Sequence, residues 1–393
     1  MAFSEALSKA GFQTGGAGKT WGPGEAKLPD GSSRNFALGD GGGKNANDPG
    51  AGLTAFLKNC KPGTPFFYWF GSHNPHRAYE RDSGIAAGKK TSDIDRVPGY
   101  WPDNDLIRRD MLDYAIEVEA YDAQVGSLVA ALEASGEAKN TLVIVTSDHG
   151  MPFPRVKGHT YDDAHHIPFV ASWPAGIVTP GRRVSEFISF IDLAPTFLEL
   201  FGFDGKAQGM SPITGRSFTD LLRNAPTGDR TTVIVGRERN DVLARPGSPS
   251  GLGYPVRAIR SGNLFYIHNF ASDRWPCGNP ELGLKDTDAS PSKTLAIDSG
   301  EKDPFWLHAF GKRPTEQLFD LSHDPDCLTN LASNPDFASN VVALREKLMS
   351  ELKQQQDPRV LGQGDVFDHY PSPRAKAAEA TPEKKKKNKK TMP

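Results

Sequence analysis

Asp148 and His149 stand directly after an apolar, β-branched run, Thr141-Leu-Val-Ile-Val-Thr146, and directly before Gly150. A carboxylate beside an imidazole offers a hard oxygen and a borderline nitrogen, the donors that Ca²⁺, Mg²⁺ and Zn²⁺ sites draw on. The plain alternative is a surface turn, with Asp148 capping the next segment and His149 in water. Two further polar clusters follow glycine-rich or apolar sequence. One is Gly18-Lys19-Thr20-Trp21; the other, Ser72-His73-Asn74-Pro75-His76-Arg77, closes the run Thr64-Pro-Phe-Phe-Tyr-Trp-Phe-Gly71. After Gly150 comes a Pro-rich stretch, Met151-Pro-Phe-Pro-Arg155-Val-Lys157. Cys60, Cys277 and Cys327 are too few and too widely spaced for a disulfide framework or a C-x-x-C metal site.

Positioning these clusters falls to strands and helices that the hydrophobic pattern outlines. The 141–146 run is apolar on both faces, which predicts a central strand of a parallel sheet covered by helices; such strands carry function at their carboxyl ends. Phe66 to Phe70 reads as a second buried strand and as core rather than as a sugar platform. From Asp103 to Ser135 apolar residues recur at three and four, from Leu106 through Val118 and Tyr121 to Leu132, as one long amphipathic helix requires, and Gly136 ends it. Shorter helices are expected over 3–10, 51–59 and 191–201, a strand over 167–173, and a glycine-rich loop from Phe12 through Gly24. An irregular surface excursion is expected over 27–50. Beyond about residue 230 the segments Thr232–Gly236, Tyr254–Arg260 and Leu264–Asn269 suggest a small antiparallel sheet, closed by an amphipathic helix from Val341 to Gln354.

At 393 residues, with 37% hydrophobic and 24% charged, the chain is long enough for two globular domains. No apolar run approaches the roughly 20 residues that span a bilayer. The N-terminus lacks the basic-then-apolar layout of a signal peptide. Net charge is −2, yet residues 371–393 hold eight Lys/Arg against two Glu, so this tail is +6 and the rest −8. Such a tail cannot bury a core and reads as disordered. It either solubilises the chain or serves as an arm for a polyanion such as a sulfated glycan or nucleic acid.

Side by side, the three polar clusters and the 151–157 stretch resemble the sulfatase family of the alkaline-phosphatase-like superfamily. Asp192-Leu-Ala-Pro-Thr-Phe-Leu-Glu-Leu and Gln317-Leu-Phe-Asp-Leu-Ser-His-Asp-Pro strengthen the likeness. Asn74-Pro-His-Arg, Gly150-Met-Pro-Phe-Pro and Val235-Gly-Arg-Glu-Arg are most similar to the heparan N-sulfatase branch. The resemblance implies an α/β fold, a mostly parallel sheet sandwiched by helices over 1–230. A smaller α+β domain with an antiparallel sheet would follow over 231–362, then a disordered Lys-rich tail over 363–393.

For chemistry, the resemblance implies Ca²⁺-dependent hydrolysis of a sulfate ester or sulfamate by a formylglycine hydrate, with sulfated carbohydrate as substrate. It implies no nucleic-acid partner, leaves a homodimer open, and points to a periplasmic, extracellular or lysosome-like setting. Asp148 and His149 match the later pair of calcium ligands, where many members carry Asp-Asn. Lys19 and Lys157 match cationic positions that bind sulfate oxygens, and fixed ammonium groups there would neutralise charge building in the transition state. His73 matches the histidine near the leaving group, and an imidazole titrating near neutral pH suits a general acid. His76 and Arg77 are candidates for contacting a substrate carboxylate or sulfate, against a turn shaped by Pro75. Where members often carry Lys-x-His this chain has Lys19-Thr20-Trp21, so an assisting histidine is replaced by Trp21, which would line the pocket.

Neither C-x-P-S-R nor S-x-P-S-R occurs anywhere in the sequence. In the family that nucleophile motif and an Asp-Asp calcium pair precede the segment with which this chain opens, so Met1 is expected to be a late start and the chain alone inactive. Two other readings stay open: a non-catalytic protein binding sulfated glycans, and a phosphodiesterase or phosphonate hydrolase of the same superfamily.

Overall fold

The computed structural model describes residues 2–20, 32, 48–206, 209–226, 228–240, 243–247 and 251–370. Trp21, nearly all of the expected surface excursion and the basic 371–393 tail lie outside the described residues. The chain divides into two compact units, one of Met1–Gly150, His166–Val233 and Ala289–Ser292, the other of Met151–His165, Ile234–Asp288 and Lys293–Pro393.

In the first unit α1 (Phe3–Lys9) leads into β1 (Gln13–Gly18), then α2 (Pro49–Lys58) and β2 (Phe66–Gly71). β1 and β2 pair in parallel, from Gln13 opposite Phe66 to Gly18 opposite Gly71. The strand β1 replaces part of the glycine-rich loop that composition suggests. Its glycine has a packing cause, because a Cβ on Gly15 would come within 2.6 Å of the Phe56 ring of α2. Alternate side chains of β2 face opposite ways, as a strand demands. Phe67 meets Phe3 of α1 edge-on at 5.4 Å between centroids, while Tyr68 packs on Phe56 at 5.0 Å. The parallel pair therefore carries helices on both faces.

The long helix α3 (Asp105–Ser135) begins on Asn104, whose side-chain oxygen accepts the Ile107 N–H at 3.0 Å, and ends on Gly136 at φ 82°. After it come β3 (Val143–Thr146), β4 (Phe169–Ser172) and α4 (Leu193–Leu200). Here the structure departs from the expected parallel surroundings of 141–146. Among the described residues β3 pairs with β4, antiparallel, with Val143 opposite Ser172 and Thr146 opposite Phe169. An unbroken apolar run records cover on both faces but not the direction of its neighbour, so the sequence does not distinguish the two.

The second unit is built on a four-stranded sheet in the order β5 (Thr232–Arg237), β6 (Val256–Ser261), β7 (Leu264–Asn269), β8 (Glu316–Asp320). β6–β7 and β7–β8 are antiparallel. Val256, Ala258, Phe265, Ile267 and Phe319 make one buried face with Tyr161. Their neighbours along the strands, Ile259, Tyr266 and Leu318, make the other, against the last helix of the unit. The helices α5 (Pro291–Ser299) and α6 (Pro304–Phe310) precede β8, and α7 (Ala338–Gln354) closes the unit. α7 contributes Val341, Leu344, Leu348 and Leu352, a stripe at helical spacing. Residues 364–367 form a 3₁₀ turn, and Asp368 is buried with its Oδ1 accepting the Gly253 N–H at 2.9 Å. Order thus continues past 363, the expected start of the tail.

Candidate active site

Lys19 and His73 leave the carboxyl ends of two neighbouring parallel strands. The Lys19 N–H donates to Gly71 O at 2.6 Å, so the β1–β2 ladder runs up to the point where both polar loops begin. Lys19 and His73 are both exposed. His76 is exposed as well, and its N–H closes a tight turn onto His73 O at 2.8 Å. Asp148 and His149 follow the carboxyl end of β3, the position at which open α/β sheets place their sites.

One face of α3 holds these ends together. Ser72 Oγ donates to Gln124 Oε1 at 2.7 Å, Gln124 Nε2 donates to Asn74 Oδ1 at 3.1 Å, and Asn74 Nδ2 donates to Glu117. One turn back towards its start, Tyr121 OH donates to Thr146 O, the last residue of β3, at 3.3 Å. Further towards its start, Asp113 accepts the N–H groups of Asp82 and Gly84, each at 2.9 Å. Asp110 takes both terminal nitrogens of Arg77, at 2.8 and 2.9 Å, and the Ser292 hydroxyl at 2.5 Å. Asp110, Asp113, Glu117, Tyr121 and Gln124 therefore form a polar stripe at i, i+3, i+7, i+11 and i+14, one face of a helix of 3.6 residues per turn.

That stripe escapes a reading that follows only apolar periodicity, which counts Tyr121 with the core. The signal was present in the same positions, read for polar residues instead. It also redefines Arg77. With side-chain exposures of 5% for Arg77 and 1% for Asp110, this bidentate pair is a buried structural ion pair, and the guanidinium also lies 4.3 Å from the Tyr79 ring. Arg77 anchors the 72–84 loop to α3 and does not present its charge to solvent.

The geometry at Asp148 and His149 suits a shared cation. His149 Nδ1 lies 2.7 Å from Gly150 O, a contact that puts a proton on Nδ1, so that Nε2 is the nitrogen a metal ion would take. Nε2 is 3.7 Å from Asp148 Oδ1, and the Asp148 side chain is 86% exposed. Two lone-pair donors at that separation can reach one ion at the 2.3–2.6 Å typical of Ca²⁺. They do not complete a shell of six to eight ligands. Among the described residues no group of three or more His, Cys, Asp or Glu is placed to hold a metal.

Lys157 belongs to the second unit, where its Nζ donates to Asp288 Oδ2 at 2.7 Å. Asp288 is a partner that sequence reasoning did not single out, and no spacing signal ties the two across the intervening chain. Trp21 lies outside the described residues. No helix among those described is long and apolar enough to cross a membrane.

A family model described as Sulfatase matches residues 2–203, just over half of the chain. The ulvan-active sulfatase of Formosa agariphila is 29% identical over 294 residues, covering 70% of this chain and 43% of that protein. Human N-sulphoglucosamine sulphohydrolase is 26% identical over 341 residues, covering 79% of this chain and 64% of that one. The chain thus spans about half the length of the curated relatives it matches. Among solved structures, one from the glycosaminoglycan metabolism of Bacteroides thetaiotaomicron aligns with a TM-score of 0.61 at 18% identity, covering 94% of this chain and 80% of the other. Another, solved with its substrate D-glucosamine-2-N,6-O-disulfate, aligns with a TM-score of 0.59 at 18% identity, covering 91% and 83%. These structural likenesses concern the fold, the alkaline-phosphatase-like α/β architecture with its C-terminal antiparallel sheet. With the family model spanning residues 2–203 and that fold in common, the chain belongs to the sulfatase family.

Proposed function

We propose that this chain is the substrate- and cation-binding part of a hydrolase that removes sulfate from esters or sulfamates of sulfated glycans. The observation that supports the reading is that Gln124 and Tyr121 of α3 hold Ser72 and Thr146, the strand-end residues that lead into His73 and into Asp148–His149. In the reaction the S–O or S–N bond breaks, and the leaving oxygen or nitrogen needs a proton. His73 donates it. Lys19 offsets charge on the sulfate oxygens, and Lys157, which the structure pairs with Asp288 inside the second unit, is the other cation that the family resemblance offers for that role. His76, exposed beside His73, contacts the sugar. Asp148 and His149 would supply part of the shell of one Ca²⁺, which when bound would add fixed positive charge to the centre. The formylglycine nucleophile has no place in these residues, since neither C-x-P-S-R nor S-x-P-S-R occurs among them. The relatives support the substrate class: the human protein is named for N-sulphoglucosamine, and a fold neighbour was solved with a glucosamine disulfate.

The test is a substrate panel offered to the protein expressed from its complete reading frame. N-sulfated and 6-O-sulfated glucosamine should release inorganic sulfate in calcium buffer, and a chelator should suppress it. Hydrolysis of a phosphonate monoester without sulfate release would overturn the reading. Saturable binding of the sulfated sugars without turnover would leave a glycan-binding protein in its place.

A further inference from the structure

The loop that carries His73 is tied down on both sides of it. Ser72 Oγ accepts the Asn74 N–H at 2.9 Å, closing a small ring over His73, and it also donates to Gln124 Oε1 at 2.7 Å. The His73 carbonyl accepts the His76 N–H at 2.8 Å. Just beyond, Tyr79 OH donates to Pro75 O at 2.9 Å, and the Tyr79 ring lies 6.3 Å from that of Tyr114 on α3. The His73 imidazole itself is exposed and has no partner among the described residues.

Two side chains of α3 set the sense of this clamp. Glu117 is an acceptor only, so Asn74 must turn its Nδ2 towards it and its Oδ1 away. Gln124 is then obliged to donate its Nε2 to that Oδ1, at 3.1 Å, which leaves its Oε1 to accept from the Ser72 hydroxyl. Ser72, Gln124, Asn74 and Glu117 are all half-buried. A matched polar run of this kind rigidifies its surroundings and specifies one arrangement, which apolar packing at the same positions would not do.

We infer that Gln124 and Glu117 are positioning residues for proton transfer from His73, an assignment that rests on the hydrolase reading above. In that reaction the electron pair of the breaking S–N or S–O bond stays with nitrogen or oxygen, which takes the proton of the His73 imidazolium, while sulfur passes to an oxygen nucleophile. The amine of a sulfamate cannot leave without that proton, and a sugar alkoxide leaves poorly. A nitrophenolate leaves without it. Proton transfer depends on placement, and a displacement of about 1 Å costs on the order of a hundredfold. An imidazole on an exposed loop takes its placement from its backbone, and Gln124 and Glu117 hold that backbone through the residues on either side.

Two substrates offered to the protein from its complete reading frame separate this role from a merely structural one: the sulfated glucosamine that the wild type cleaves, and 4-nitrophenyl sulfate. Gln124→Ala and Glu117→Ala should each lower kcat on the sugar about tenfold or more with KM little changed, and on the aryl sulfate by less than about threefold. Glu117→Gln, whose amide oxygen still accepts from Asn74, should keep most of the rate on the sugar. Ser72→Ala removes one link without touching α3 and should show the same selectivity on a smaller scale, which carries the test if a helix variant folds poorly. Equal losses on the two substrates, no loss on the sugar, or a Glu117→Gln protein as slow as Glu117→Ala would overturn the assignment and leave the hydrolase reading standing. A wild type that releases sulfate from neither substrate would overturn both.

Discussion

Arg77 and Asp110 carry the sharpest stability consequence of any single pair. Both are buried, and their two parallel hydrogen bonds fix the loop that holds His73. Removing one partner strands a buried charge, so Asp110→Ala should cost about 3–5 kcal/mol. Urea unfolding would read this as a fall in midpoint with an unchanged slope. His159 and His308 predict how stability responds to acid. Burial and the surrounding arginines hold His159 well down, while burial, Arg155 and Arg313 bring His308 to about 4. In the unfolded chain each regains the ordinary imidazole value of roughly 6.5. Below that value the unfolded state binds more protons than the folded one, so stability falls as pH drops from about 6.5 towards 4. The melting temperature of the second unit should decline over this window, and His159→Gln should flatten the decline. Asp148 and His149 could be named from residue type and position after an apolar run, and Lys19 and His73 only through the family resemblance. Asp288 could not, because an ion pair between distant segments leaves no trace in local spacing.

At the scale of elements, α3 is both a core helix and a scaffold. Its apolar stripe was legible at three-and-four spacing and its end at Gly136, while the structure places its start at Asp105, after the Asn104 cap, rather than at Asp103. Asn104→Ala should cost about 1 kcal/mol, since the Ile107 N–H loses its acceptor, whereas Asn104→Asp should keep the helix. The polar stripe was less legible because Glu117, Tyr121 and Gln124 look like a solvated face until their partners are known. Gln124→Ala removes two of the hydrogen bonds that hold Ser72 and Asn74. It should leave the fold intact yet loosen the His73 loop, detectable as faster amide exchange over residues 72–76. β1 was hidden for another reason. Glycine-rich sequence argues for a loop, and only the Phe56 ring lying over Gly15 explains a strand without side chains there. β3 and β4 exposed the opposite limit, since strand composition records burial and not the direction of pairing.

For the whole molecule, the family is secure from the sequence model and the shared fold, while the chain spans about half the length of the relatives. Apart from β1, the strands and helices named for the first unit were readable, as were three of the four strands of the second unit's antiparallel sheet, because binary patterning follows secondary-structure period. The gathering of arginines around His159 was not, because it emerges only when β5, the 159–161 segment and the approach to β8 meet. Lacking the nucleophile motif, the isolated 393 residues should turn over an aryl sulfate at no more than the buffer rate. The most direct measurement is the calcium dependence of sulfate release by the protein from its complete reading frame, with and without Asp148→Ala. If Asp148 and His149 hold the cation that serves sulfate hydrolysis, the wild type should saturate with calcium and the variant should lose about a hundredfold or more in rate. An unchanged rate and calcium response in Asp148→Ala would contradict it.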